Sequence, residues 1–345
     1  MTRTASGRSL QTKAGPADVP GRAPPLSVKD LLMSLLPFAR RRPAAETRAQ
    51  HDPGDELARF IAGYSIEVMP RTAEKVEDFR AILPPGTRVY IAHIEGTPIG
   101  DMVRTARRIA SEGFAVMPHF PARIIRDRAE LADWIARYQG EAGVDQALLL
   151  GGGVSTPAGA FDSSMQMIET GLFDRAGFRR LHVAGHPEGN RDIPGGEEAL
   201  MAALRWKQDH ADRTDAQMAI TTQFCFEAAP VIAWADALAA AGIGMPIHIG
   251  IAGPAKLQTL IKFAIACGVG PSLRVLQKRA MDVTKLLLPY EPTEIAAGLA
   301  AHKAATPGFN IAQVHFFPLG GIAATAAWAR EHGGAAGRPA AAVTG

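Results

Sequence analysis

The chain carries little that would brace it other than a buried core. Two cysteines in 345 residues, Cys225 and Cys267, form no disulfide framework and point to a reducing, cytoplasmic setting. No apolar run is long enough to cross a bilayer. Absent motifs remove several chemistries. No GxSxG marks a nucleophilic serine, and Cys225 sits in an apolar run where a small hydrophobe is the default reading. The glycines at 151–153 are not followed by GK[ST], which excludes a P-loop. The turn MPRTAEKV after the first β-rich run has no glycine, so the GxGxxG fingerprint of a doubly wound dinucleotide fold is missing. An HxH pair, with which metal-dependent hydrolase barrels open, is also missing from that run. No metal is therefore expected, and a metal-dependent barrel hydrolase is a minor alternative.

Charge is unevenly spread. The formal net charge is +3, but residues 1–50 hold nine Lys/Arg against three acids, a local +6 that leaves the body at −3. A mildly acidic body argues against a nucleic-acid surface. Residues 1–55, rich in Pro, Arg, Ala and Ser, read as a largely disordered basic tail. Within it, LSVKDLLMSLLPFARRR has the pattern of a short basic amphipathic helix, either transiently docked or a weak membrane or partner anchor. Its apolar stretch comes too late for a secretory signal, and GGAAGRPAAAVTG closes the chain as a loose end from about 336.

Residues 56–335 alternate regularly. β-rich runs stand at YSIEVM (64–69), RVYIAHI (88–94), FAVMPHF (114–120), QALLLGGG (146–153), RLHVAGH (180–186), MAITTQF (218–224), PIHIGIA (246–252) and QVHFFPL (313–319). Segments with helical spacing lie between them, several closing on Gly113, Gly143, Gly242 or Gly268. Eight βα units in this length imply a (β/α)8 TIM barrel, with extra helical structure between runs seven and eight.

In such a barrel, chemistry collects at the carboxyl ends of the strands. Those ends carry Glu67, His93 with Glu95, His119, Gly151–Gly153, His186 with Glu188, Gln223, His248 and His315. Glu67 is an acid between Ile66 and Val68 in an apolar run, so its side chain points away from the face its neighbours share.

The ordered motifs resemble the methylenetetrahydrofolate reductases, flavin-containing (β/α)8 barrels. IEVMPRT is similar to that family's FEFFPPRT-like opening and VMPHF to its third strand. VAGHPEG resembles A-Y-P-E-x-H, AITTQFCFE resembles AITQFFFD, HIGIAGP resembles PGILP, and VHFFPLGG resembles FHFYTLNR. The resemblance implies an oxidoreductase of folate one-carbon metabolism, interconverting 5,10-methylenetetrahydrofolate and 5-methyltetrahydrofolate with FAD and NAD(P)H. It implies Glu67 as general acid, with a pKa raised or tuned to act near neutrality, and Gln223 as a contact for substrate and nicotinamide. His119, His186, Glu188 and Lys207 fall at or beside flavin-contact positions, as do Ala92 with His93 and Gly151, Gly152 and Gly153, while Leu319 matches an apolar substrate contact. A homo-oligomer is the family's usual state. Departures accompany the likeness. Gly151–Gly153 stand where the family has RGD, Ala92 replaces a threonine, and Gly321 replaces the arginine of the last motif. A flavin-independent or non-catalytic tetrahydrofolate-binding paralogue is the alternative these departures raise.

Overall fold

Alternation along the first strand, β1 (Ser65–Val68), puts Ile66 and Val68 on one face and Ser65 and Glu67 on the other. The first face is buried in the main apolar core. The same division repeats in β2 (Arg88–Ile91), β3 (Ala115–Pro121), β4 (Gln146–Leu150), β5 (Arg180–Gly185), β6 (Gln217–Cys225), β7 (Ile247–Ala252) and β8 (Ile311–Phe317). Val89, Phe120, Leu149, Val183, Ile249 and Phe316 all join that core. In the computed structural model these eight strands close into a parallel barrel in chain order, with β8 pairing back onto β1. The model describes residues 53–190, 193–268, 270–281 and 288–334. The basic tail to residue 52, with its amphipathic segment, and the expected loose end from 336 lie outside the described residues.

Helices cover the outer face: α1 (Pro53–Ile61), α2 (Pro70–Ala73), α3 (Ile99–Ser111), α4 (Arg128–Ala142), α5 (Ser164–Glu169), α6 (Leu172–Arg175), α7 (Gly196–Ala211) and α8 (Ala228–Ala240). The sequence dictates α4 at both ends. Asp127 accepts a hydrogen bond from Glu130 N at 2.9 Å, and Gly143 ends the helix at φ 62°. Leu131, Trp134, Ile135 and Tyr138, at helical spacing, make its buried stripe. Among the described residues no helix is long and apolar enough to cross a membrane.

As expected, β7 and β8 are separated by additional helix: α9 (Leu257–Ala266), α10 (Gly270–Met281) and α11 (Thr293–Ala305), with α12 (Ile322–Glu331) following β8. Phe224, Phe226, Leu257, Leu260, Leu276 and Tyr290 form a second apolar cluster, against which Cys267, Phe317 and Leu319 pack.

One irregularity positions a candidate residue. The β6–β7 register shifts between Thr221 and Phe224. Thr222 Oγ1 donates to Gln223 O at 2.8 Å and accepts from Gly250 N at 2.8 Å, filling the gap in the ladder. Strand bulges of this kind re-aim side chains. A Cβ at Gly250 would stand 2.5 Å from Gln223 O and 2.6 Å from Thr222 O, so only glycine fits. Gly250→Ala is expected to cost about 1–3 kcal/mol, the usual range for overpacking, read as a lowered denaturation midpoint. An unchanged midpoint would show that the bulge yields freely.

Candidate functional site

The barrel interior carries many polar side chains, with Met117 and Leu148 packed beside Tyr90, where branched aliphatics are usual for this fold. Glu67 enters it near the carboxyl ends of the strands. Its Oε2 lies 3.2 Å from His119 Nε2 of β3 and 3.7 Å from His315 Nε2 of β8. The Glu67 side chain is 17% exposed and that of His315 not at all. Burial pushes the Glu67 carboxyl up, but the two imidazoles facing it outweigh that and hold it down at about 2. The carboxylate is thus ionised at neutral pH, opposite to the raised value expected of a resting general acid, because two imidazoles converge on one of its oxygens. Burial first, offset in part by Glu67, lowers the His315 pKa.

Beneath this pair a hydrogen-bonded set fills the barrel. Ser65 Oγ lies 3.0 Å from His315 Nδ1. The Tyr90 hydroxyl stands 2.7 Å from His182 Nδ1 and 3.3 Å from Thr221 Oγ1. Burial, then the charges of His248, Arg88 and Arg180, drives the His182 pKa well down. Below it Arg88 Nε donates to Gln146 Oε1 at 2.8 Å. His248 was expected at the mouth. It is instead the second residue of β7, deep in the barrel, with its ring 4.5 Å from that of His182. His315 likewise sits within β8, not beyond its end.

Gln223 and Glu67 both bear on Cys267. Gln223 Nε2 donates to Cys267 O at 3.4 Å, and the Cys267 thiol is pushed up to about 11 by burial and then by the Glu67 charge. Leu319 packs with the apolar cluster beside β8.

The expected cofactor contacts divide. His186, Glu188 and Lys207 come together, but in a separate cavity of about 450 Å³ between α7 and α8, lined also by Leu204, Pro230 and Trp234; Glu67, His119 and Gln223 do not line it. Strand β5 stops at Gly185, which releases His186 from the inward alternation. Lys207 is 7% exposed, and among the described residues nothing hydrogen-bonds or ion-pairs with its ammonium. Burial alone lowers its pKa to about 8. The His186 pKa falls to about 4, through burial and then the Lys207 charge. His93 is engaged through Nε2, 2.9 Å from Thr97 O, and through its ring, stacked on Trp134 at 4.8 Å, while its buried Nδ1 has no hydrogen-bond partner among the described residues. Ala92 is buried. Gly151–Gly153 leave β4 as an irregular segment laid against the residues after β3. Gly151 O accepts from Arg123 N at 2.9 Å, and Gly152, at φ 95°, has room for a Cβ only 3.1 Å from Pro121 Cβ. Among the described residues no group of three or more His, Cys, Asp or Glu is placed to hold a metal ion.

Sequence reasoning missed Ser65, Tyr90, His182 and Thr221. The one available signal was the recurrence of polar residues in phase with Glu67 in several of the β-rich runs, as Arg88 with Tyr90, Arg180 with His182, and Gln313 with His315.

No known family model matches the sequence. A solved structure of an uncharacterised protein from Clostridium thermocellum, which binds two copies of 5-methyl-5,6,7,8-tetrahydrofolic acid, aligns with a TM-score of 0.51 at 10% identity, covering 80% of this chain and 97% of that one. Multifunctional pyruvate carboxylase from Rhizobium etli aligns at TM-score 0.38 and 10% identity, over 83% of this chain and 26% of its own. At this identity the first likeness establishes a shared fold.

Lys207, unpaired among the described residues, bears on stability. Its folded pKa is below its ordinary value of 10.5, so the charge destabilises the fold below about pH 8, and the cost fades as pH rises from there toward 10.5. Lys207→Met is expected to stabilise the protein at pH 7 by up to about 3 kcal/mol, given 1.36 kcal/mol per pKa unit. Denaturant unfolding at pH 7 and pH 10 should show the gain shrinking at the higher pH; a loss of stability at pH 7 would contradict it.

Proposed function

We propose that the chain is an oxidoreductase of folate one-carbon chemistry that interconverts 5,10-methylenetetrahydrofolate and 5-methyltetrahydrofolate. The observation that carries the reading is Glu67 at the mouth of the barrel, bracketed by His119 and His315, with the Gln223 amide turned toward the same loop. Opening the methylene bridge requires a proton for the departing nitrogen, and leaves an electrophilic iminium on the carrier for hydride addition. A carboxylate in contact with two imidazoles forms with them a set that can take up and deliver that proton. The shared fold with a methyltetrahydrofolate-binding protein supports the choice of carrier.

Gln223, on its bulge, is suited to hydrogen-bond a pterin amide or a nicotinamide carboxamide, having both donor and acceptor. Leu319 and Phe317, in the apolar cluster, offer a surface for the flat part of a ligand. The family's flavin finds a partial fit. Lys207, a buried ammonium without a partner among the described residues, would meet the anionic diphosphate of FAD, in a cavity that Glu188 and Glu197 also line. His93 and Gly151–Gly153, committed to protein contacts, would contribute little beyond shape. Such a flavin, when bound and reduced by NAD(P)H, would supply the hydride. The sequestered His93 and the Gly151–Gly153 segment favour, as a second reading, a tetrahydrofolate-binding paralogue without turnover.

An absorption spectrum of the purified protein with and without NAD(P)H, combined with a 5-methyltetrahydrofolate binding isotherm, separates the readings. A flavin band that NAD(P)H bleaches and saturable folate binding are expected. Glu67→Gln should retain binding while turnover falls about 10²–10⁴-fold, the usual contribution of a general acid. A colourless protein that cannot be reconstituted with FAD but binds folate would select the paralogue. Absence of folate binding would remove both.

A further inference from the structure

His315 cannot touch a ligand in the mouth, since it is fully buried, yet its Nε2 points at the carboxylate 3.7 Å away with no hydrogen-bond partner of its own. A buried polar atom aimed at a charged group and left unbonded requires an explanation. Its other nitrogen supplies one. Ser65 Oγ lies 3.0 Å from His315 Nδ1 and 3.5 Å from Val314 O. The carbonyl only accepts, whereas the hydroxyl both donates and accepts.

Two arrangements follow, differing by one proton. When the Ser65 hydroxyl donates to His315 Nδ1, a neutral ring presents Nε2–H to the Glu67 carboxylate. When the Ser65 hydroxyl donates to Val314 O, its oxygen accepts Nδ1–H. The Nε2–Oε2 contact is then favourable only if a further proton sits in it, on imidazolium or on carboxyl. A single hydroxyl rotation keeps Nδ1 satisfied in both states. An alanine at position 65 would leave it unsatisfied in the protonated state.

We propose that Glu67, His119 and His315 work as one acid that holds a single exchangeable proton, with Ser65 as the rotor that lets His315 change charge while buried. This rests on the reading of Glu67 as the proton donor and names the store from which that proton comes. In the forward direction the proton passes from the set to the departing nitrogen of the carrier. What remains is the Glu67 carboxylate beside neutral imidazoles, and water returns one proton after release. His315 and Ser65 are positioning residues acting through Glu67.

The surroundings keep the proton at the mouth. Glu67 is faced by His119 from β3, by His315 from β8 and by Cys267 after α9. His315 is faced by His119, by Arg88 from β2, and by the Tyr90 ring at 4.3 Å. Tyr90 also meets Ser65, which ties the rotor to His182 and Thr221. His182 is faced by His248, Arg88 and Arg180, so positive charge is disfavoured deeper in the barrel and favoured beside Glu67.

Histidine-selective ¹⁵N NMR of the full chain tests this without any ligand. Ser65→Ala, close to isosteric, should move the titration of one ring toward lower pH by about one unit and change its Nδ1–H signal; Glu67→Gln should move the same ring further. Ser65→Thr, which restores the hydroxyl, should return the titration toward the original. A ring titration that ignores Ser65→Ala, or that Glu67→Gln leaves in place, overturns the proposal. In turnover assays the alkaline limb of the pH profile should shift down with Ser65→Ala, by about tenfold in rate per pH unit. Full turnover in Glu67→Gln would instead refute Glu67 as the donor, a result the ring titration reports separately.

Discussion

An ionised carboxylate enclosed in a closed barrel is the constraint on which the rest of the site depends. Isolated, it would be too costly to keep charged. Two imidazoles from β3 and β8 meet one of its oxygens, and together they outweigh the penalty of burial. Each imidazole then needs support of its own. His315 finds it in Ser65, Ser65 meets Tyr90, and Tyr90 is held by His182 and Thr221. One acid on β1 thereby recruits polar residues from β2, β3, β5, β6 and β8, and the interior that most such barrels fill with branched aliphatics becomes a connected polar network. Such a network is stable only when nearly every member is satisfied. The barrel departs from this at the mouth, where His119 Nε2 and His315 Nε2 face Glu67 without hydrogen bonds of good geometry.

The Lys207 cavity follows the opposite logic. There the charge is buried with no partner among the described residues, and burial lowers its pKa. An unpaired ammonium in an apolar cavity costs stability in the free protein and is compensated when an anion binds. The two features divide the labour of the proposed reaction. The mouth manages a proton, and the α7–α8 cavity, lined by His186, Glu188, Glu197 and Lys207, lies apart from it.

The architecture was legible in the sequence, because eight β-rich runs alternate with helices closed by glycine, and the extra helices before β8 showed as surplus length. Glu67 was legible as an acid inside an apolar run, and Gln223 through its motif. The direction of the Glu67 pKa was not, since it depends on His119 and His315, which only barrel closure brings to one oxygen. His186 was placed at the mouth by extending β5 one residue too far. Ser65, Tyr90, His182 and Thr221 escaped notice because small and aromatic polar residues in strands usually face solvent or a helix. Only the pairing register, Ser65 opposite Arg88 and His315 and Glu67 opposite Tyr90, shows that they share the interior. The bulge at Gln223 leaves no periodic trace either, because it arises from Thr222 and Gly250 acting across two strands.

The most direct test of this account is the ionisation state of Glu67 itself. Infrared difference spectroscopy between the unmodified protein and Glu67→Gln at neutral pH reads it without substrate or cofactor. Glu67 held near pKa 2 by its two imidazoles predicts that the substitution removes a carboxylate band and no protonated-carboxyl band. Loss of a protonated-carboxyl band at neutral pH would contradict it, and would mean that burial, not the imidazoles, governs the acid.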